Sequence, residues 1–238
     1  MMRAAGGLLF LKLALGQTAA PAFDAASVKP TDANDHGTRR ISPGRFTLTA
    51  TPLRGFITRA YGLRGEQIVG GPAWIESDLW SIAAEAEGQP GEAQMNRMLR
   101  TLLEDRFKLK VRREIREVSL YALRVAKGGP KLKESMDGDG EHYLRIYPPK
   151  DNLSTMDGHR APIAYLVDRL WSLLRRPVMD QTGLKGEYDL KIEWSDDDHR
   201  EAGPDLLGAV QTLGLKLEPG KGPLEVLVVE RAEKPGAN

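Results

Sequence analysis

The side chains able to do chemistry are few and scattered along the chain. Its four histidines, His36, His142, His159 and His199, have no histidine partner at i+3 or i+4. No single helix turn can therefore offer two of them to one ion, and a zinc site would have to be gathered from distant loops. His199 follows Asp196-Asp197-Asp198, carboxylates that would suit a hard cation. They run consecutively rather than at the alternating spacing of a calcium loop, so a solvated acidic turn is the plainer reading. Ser154 stands near His159 with no GxSxG elbow around it. Gly70-Gly71-Pro72 would let backbone amides approach an anion, but it lacks a GK[ST] ending and its proline removes a donor, which points to a turn. Cysteine is absent, which excludes thiol nucleophiles, thiolate metal sites and disulfides together. We therefore assign no catalytic, cofactor-binding or metal-ligating residue.

Recognition is a different matter. Of Trp74, Trp80, Trp171 and Trp194, the last three fall on positions whose periodicity marks them as core, whereas Trp74 sits beside Gly70-Gly71-Pro72 in a connection. Trp74 is the candidate contact residue. The basic run Lys108 to Arg116 contains Glu114, alternates with apolar residues at strand spacing and has no aromatics among its charges, so it reads as the wet face of strands. With 34 basic and 33 acidic residues the chain has no global field to attract nucleic acid.

The elements that must position these residues show a repeated pattern. Pro162 opens an apolar series at Ile163, Leu166, Val167, Leu170 and Trp171, and the period then switches to two at Leu190, Ile192 and Trp194. Shifted by 110 residues, Pro52 opens Leu53, Phe56, Ile57, Ala60 and Tyr61, followed by Trp80, Ile82 and Ala84. The first spacing makes one helix face and the second a half-buried strand. Thr51 is expected to cap the first helix, and Gly62 and Gly65 both offer its stop. Met95 to Leu103 restores helical spacing, and two strands, 107–112 and 118–126, are expected to form a hairpin across Arg113 to Glu117. Tyr143 to Tyr147 and Leu153 to Met156 read as strands. Asp205 should cap a short helix ending at Gly214, and the final strand LEVLVV, apolar on both faces, should lie inside its sheet.

The expected fold class is α+β, as two repeated subdomains, each a small mixed or antiparallel sheet packed against two helices. The expected boundaries are a signal-peptide-like leader over 1–22, a first repeat over 23–132, a linker over 133–141 and a second repeat over 142–238. The leader has Arg3, an apolar stretch from Leu8 to Leu15 and small residues before Ala22, which predicts export to a secreted or periplasmic location. That stretch is short of the roughly 20 residues a membrane span needs, and no later segment approaches it. Residues 1–22 hold two basic side chains and no acid, which leaves 32 basic against 33 acidic side chains in a mature chain.

Several fragments together resemble a family of secreted proteins of unknown function, expanded in soil bacteria and known as soil-associated proteins. They are FDAASVKP, GRFTLTATPLRGFITRAYGL, QIVGGPAWIESDLWSI, MLRTLLEDRFKLKVRRE, YALRVAKGGPKL and RPVMDQTGLKGEYDLKIEW, in that order along the chain. The resemblance implies export, and some relatives carry this domain on a membrane-bound sensor metalloprotease. It implies no catalytic residue, and this chain has no HExxH signature. The helix-and-strand unit is also similar to small extracytoplasmic domains at the front of secretins and TonB-dependent receptors. Together these features predict an exported binding module of the cell envelope with an unknown protein or envelope component as partner, its exposed sheet edges open to an added strand. The alternative is a hydrolase with a site in the cleft between the repeats, which would require a histidine within reach of Asp, Glu or Ser in a concave pocket.

Overall fold

Side-chain periodicity sets most of the element boundaries. The computed structural model describes residues 20–31, 36–135, 141–195 and 201–236, so Asp196 to His199 and all but the end of the 1–22 leader lie outside the described residues. In chain order the elements are β1 (Ala25–Pro30), β2 (Arg39–Ser42), β3 (Arg45–Pro52), α1 (Leu53–Tyr61), β4 (Ile68–Gly70), α2 (Trp74–Ser77), β5 (Leu79–Glu85), α3 (Glu92–Arg106) and β6 (Lys110–Val125). They continue with β7 (Lys133–Glu134), β8 (Tyr143–Lys150), β9 (Leu153–Pro162), α4 (Ile163–Leu174), β10 (Val178–Asp180), β11 (Glu187–Trp194), α5 (Leu206–Thr212) and β12 (Leu215–Arg231). The class is α+β, and among the described residues no helix is long and apolar enough to cross a membrane.

The described residues form two compact units, one drawn from Met1–Leu63, Gly70–Val111 and Val229–Asn238, the other from Arg64–Val69 and Arg112–Val228. In the first, the antiparallel sheet β1-β5-β3-β2 carries Val28, Phe46, Trp80, Ile82 and Ala84 as its buried residues. Helix α1 buries Leu53, Phe56, Ile57 and Ala60 and packs on α3, whose Met95, Leu99, Leu102 and Leu103 are also buried. Gly62 ends α1 at φ 63°, a left-handed conformation that glycine adopts at no steric cost, and the Leu63 N–H donates back to the Thr58 carbonyl at 3.1 Å.

In the second unit the antiparallel sheet β7-β11-β9-β8 alternates cleanly. Met156, Leu190 and Ile192 join Leu166 and Leu170 of α4 and Val210 of α5 in one core, while Tyr143, Asp157, His159, Asp189 and Lys191 occupy the other face. Strands β8 and β9 are joined by Asp151-Asn152, both at positive φ (52° and 64°), the pairing that a two-residue hairpin demands. The Asp205 carboxylate accepts the Gly208 N–H at 2.7 Å and caps α5 as expected.

The outer sheets of the two units share local detail. Pro52 and Pro162 are both N-caps with nearly equal dihedrals (φ −63°, ψ 153° and φ −60°, ψ 149°), each placing a helix directly after a strand. Just before each proline the ladder slips by one residue, and Ala50 and Arg160 both stand at φ 48°. Thr31 bonds Ser81 in the first sheet where Ser135 bonds Asp189 in the second.

Several expectations need correction. A third sheet, ordered β10-β6-β12-β4, has no place in a pair of one-sheet subdomains. Its β6 is a single strand of 16 residues, not a hairpin across Arg113 to Glu117. That stretch has no turn former, and Glu114 bridges Arg112 at 2.5 Å and Arg116 at 2.8 Å along one face of the extended chain. Likewise β12 runs unbroken through Pro219 and Gly220, and the strand that contains LEVLVV lies inside its sheet, between β6 and β4. Thr51 belongs to β3, opposite Trp80, and leaves the N-cap to Pro52. Lys133 and Glu134, expected to begin a linker, pair with β11 as β7.

Leu166 is fully buried between α4 and its sheet, whereas Leu173 on the same helix is 37 % exposed. Leu166→Asp should lose about 2–5 kcal/mol of unfolding free energy from lost packing plus an uncompensated charge. Leu173→Asp should change it by less than about 1 kcal/mol. Urea titrations of the two variants check both values, and equal effects would refute the assigned helix face.

Candidate functional site

The bulge in β9 gathers the polar groups of the second unit. It sets His159 and Arg160 opposite Asp189 alone, a common use of a bulge, which re-aims a side chain. The Oδ1 atom of Asp189 then receives the Ser135 hydroxyl at 2.6 Å, the Arg160 backbone N–H at 3.2 Å and His159 Nδ1 at 2.8 Å. Beside it, Arg160 Nε donates to Glu187 Oε2 at 3.0 Å, and His142 Nδ1 lies 3.1 Å from Glu187 Oε1. Tyr143 donates to Asp157 at 3.3 Å, and its ring lies under the Arg145 guanidinium at 4.5 Å.

A histidine therefore reaches an aspartate, the grouping that a hydrolase would need. The chemistry does not follow. In a nucleophilic triad the acid and the hydroxyl engage opposite nitrogens of the imidazole, so that a proton passes through the ring. Here Ser135 and His159 converge on the same carboxylate oxygen, and Ser135 spends its proton on Asp189. Ser154 pairs across the ladder with Trp194, away from His159. Among the described residues no three His, Asp or Glu side chains gather as a metal site requires.

Trp74 begins α2 and is half-buried. It stacks on Phe107 (6.4 Å, 21°) and meets Trp80 edge-on at 6.4 Å, while Lys234 Nζ sits 5.7 Å from its centroid and 2.6 Å from the Asp78 carboxylate. Trp80 and Trp194 are buried and Trp171 is half-buried beneath the Arg64 guanidinium.

The concave feature with the fullest set of recognition groups is a groove of about 600 Å³ between strand β8 and helix α4. Its walls include His142, Tyr143 and Arg145 on one side and Tyr165, Asp168 and Arg169 on the other. Strand β8 is the edge of its sheet and, at eight residues, longer than β1, β2, β4, β7 or β10, the other edge strands. Its Tyr143–Tyr147 portion contains no proline, so its outward N–H and C=O groups can pair; Pro148 and Pro149 close that run. Five large apolar side chains are conspicuously exposed among the described residues, and four of them, Ile146 and Tyr147 on β8 and Tyr165 and Leu173 on α4, stand on these two elements. Tyr165 points off the buried stripe of α4 because it falls between Ile163 and Leu166 in the helical period. Arg64 neutralises Asp168, donates to Ser172 Oγ at 2.9 Å and lies over Trp171. Arg169 has no hydrogen-bond or ion-pair partner among the described residues. Sequence reasoning did not single out this groove; the signals were Ile146 and Tyr147 before a Pro-Pro pair, and a tyrosine off the apolar face of a helix.

The donors on Asp189 predict a pH dependence. Chiefly the Ser135 hydroxyl, and next the Arg160 N–H, hold its carboxyl below the usual value of 3.8. The unfolded chain thus takes up a proton before the folded chain does, so the contribution is whole above the ordinary carboxyl value and fades as pH falls through the lowered folded value. Asp189→Asn should flatten the loss of stability as pH falls below the ordinary carboxyl value, read from urea midpoints on the acid side. An unchanged acid slope would refute it.

Comparison with known proteins adds the family alone. Searches of curated proteins and of solved structures each return no match. A family model covering residues 54–232, three-quarters of the chain, does match, and the chain accordingly belongs to the family described as "Protein of unknown function (DUF3738)".

Proposed function

We propose that this protein is an exported, non-catalytic binding module that takes up an extended peptide segment as an added strand on β8, beside α4. The observation that carries this reading is the juxtaposition of a long unpaired edge with a groove walled by exposed aromatic and charged side chains. Main-chain hydrogen bonds to an edge supply affinity, each worth about 0.5–1.5 kcal/mol net, and pockets for alternate side chains supply specificity. Leader-like residues 1–22 support a secreted or periplasmic setting and a partner in the cell envelope. The shared proline corners, bulges and sheet orders of β1-β5-β3-β2 and β7-β11-β9-β8 support an internal duplication, with the third sheet built on strands from both halves. Trp74 remains a second proposed contact, through whatever part of its ring Phe107, Trp80 and Lys234 leave open.

A hydrolase reading has the His159–Asp189 pair in its favour, but Ser135 occupies the same oxygen and leaves the pair without an assembled nucleophile. Two outcomes test the proposal. Ala164 is exposed in the first turn of α4 and lines the groove, so Ala164→Trp should fill it without touching the core. Phage-displayed random decapeptides selected on the full chain should lose at least about tenfold in affinity on the variant, a difference of about 1.4 kcal/mol, with thermal melting unchanged. Selected peptides that bind both proteins equally would overturn the groove as the site.

A further inference from the structure

We infer that the strand taken up beside β8 carries an acidic side chain, and that Arg169 is the residue that receives it. This inference rests on the strand-addition reading and adds the chemistry of the partner. The first unit supplies a worked comparison. Arg59 occupies α1 at the position that Arg169 occupies in α4, 110 residues later and seven residues past the equivalent proline corner. Arg59 lines a smaller concavity of about 220 Å³ beside Ile41 and Ser42 of the edge strand β2, and there a carboxylate meets it: Glu92 Oε1 lies 3.1 Å from its Nη1. In that unit the chain provides its own anion next to its own sheet edge.

No such anion meets Arg169 among the described residues. The acid nearest to it in sequence within the groove, Asp168, is spoken for by Arg64, which bonds both its carboxylate and its backbone carbonyl. Across the groove Arg145 lies over Tyr143 and is 3.4 Å from Glu141, whose side chain is 85 % exposed, so that pair is solvent-screened. Among the described residues the uncompensated charge in the groove is positive, and it stands beside a strand edge. A guanidinium that is always charged and presents a planar fork of donors selects a carboxylate. In the Arg59–Glu92 pair that carboxylate is a side chain on the first residue of α3; beside β8 the incoming strand is its source.

The test uses fluorescence anisotropy with ten-residue labelled peptides of alternating valine and threonine, amidated at the C-terminus. One carries a central glutamate, and a second carries glutamine there. A third has no glutamate and a free C-terminal carboxylate. The full chain should bind the glutamate peptide about tenfold more tightly than the glutamine peptide, as expected for one charge-assisted hydrogen-bonded pair at a partly exposed site. Arg169→Gln, an exposed position, should erase that difference, so that the glutamate and glutamine peptides bind the variant equally. Equal binding of the two peptides, lost in Ala164→Trp, would overturn the acidic anchor and leave strand addition standing. Preference for the third peptide would make the ligand a chain terminus and overturn the side-chain assignment. Failure of all three to bind, or concentration-dependent dimerisation through β8 in sedimentation velocity, would overturn the anchor; the dimer would overturn peptide capture as well.

Discussion

A strand that turns into a helix at a proline is the constraint on which the candidate site depends. At Pro162 the extended dihedrals end β9 and the next residue is already helical, so α4 has no slack with which to choose its place. Its buried stripe must lie on the apolar side of the sheet that β9 belongs to, and its first turn must stay close to the end of β9. Because β9 pairs with the edge strand β8, the exposed side of α4 is left alongside that edge. The groove is thus a by-product of hiding Leu166 and Leu170. The bulge at His159-Arg160 belongs to the same corner, since it lets the last part of β9 change register before the helix begins.

Much of this was legible in residue order. The apolar series after Pro52 and Pro162 marks both helices, and Gly62 and Asp205 mark ends that depend on local chemistry alone. What was not legible depends on pairing between distant segments. Arg113 to Glu117 has the charge density of a loop, yet its alternating signs satisfy one another only along an extended strand, so β6 runs through. Thr51 has the side chain of a helix cap, yet the ladder to Trp80 claims it first. Lys133 and Glu134 are polar enough for a linker and become a strand because β11 offers an open edge. The third sheet escaped altogether, because β4 and β10 are three residues long and carry no periodicity that a short window resolves.

The site shows the same division. Trp74 was conspicuous by type and neighbours, and it lies in an aromatic cluster with Phe107 and Trp80. The groove residues were inconspicuous because each is ordinary alone: an edge tyrosine, a helical arginine, a pair of prolines. Their meaning comes from adjacency across the β8–α4 gap, which no spacing rule encodes. Polar residues of the sheet's open face are brought together with equal care: Ser135, His159 and Arg160 all bond the same oxygen of Asp189. Exposed aromatic side chains beside a sheet edge are what the proposed contact role rests on.

The claim that β8 accepts a strand is tested most directly by amide hydrogen exchange on the full chain with and without a bound selected peptide. The account predicts that alternate amides of Tyr143–Tyr147, those facing away from β9, slow by about tenfold or more on saturation, while the amides of β1 and β2 exchange unchanged. Exchange in β8 that stays the same when the peptide is bound, or protection that appears on another element instead, would contradict it.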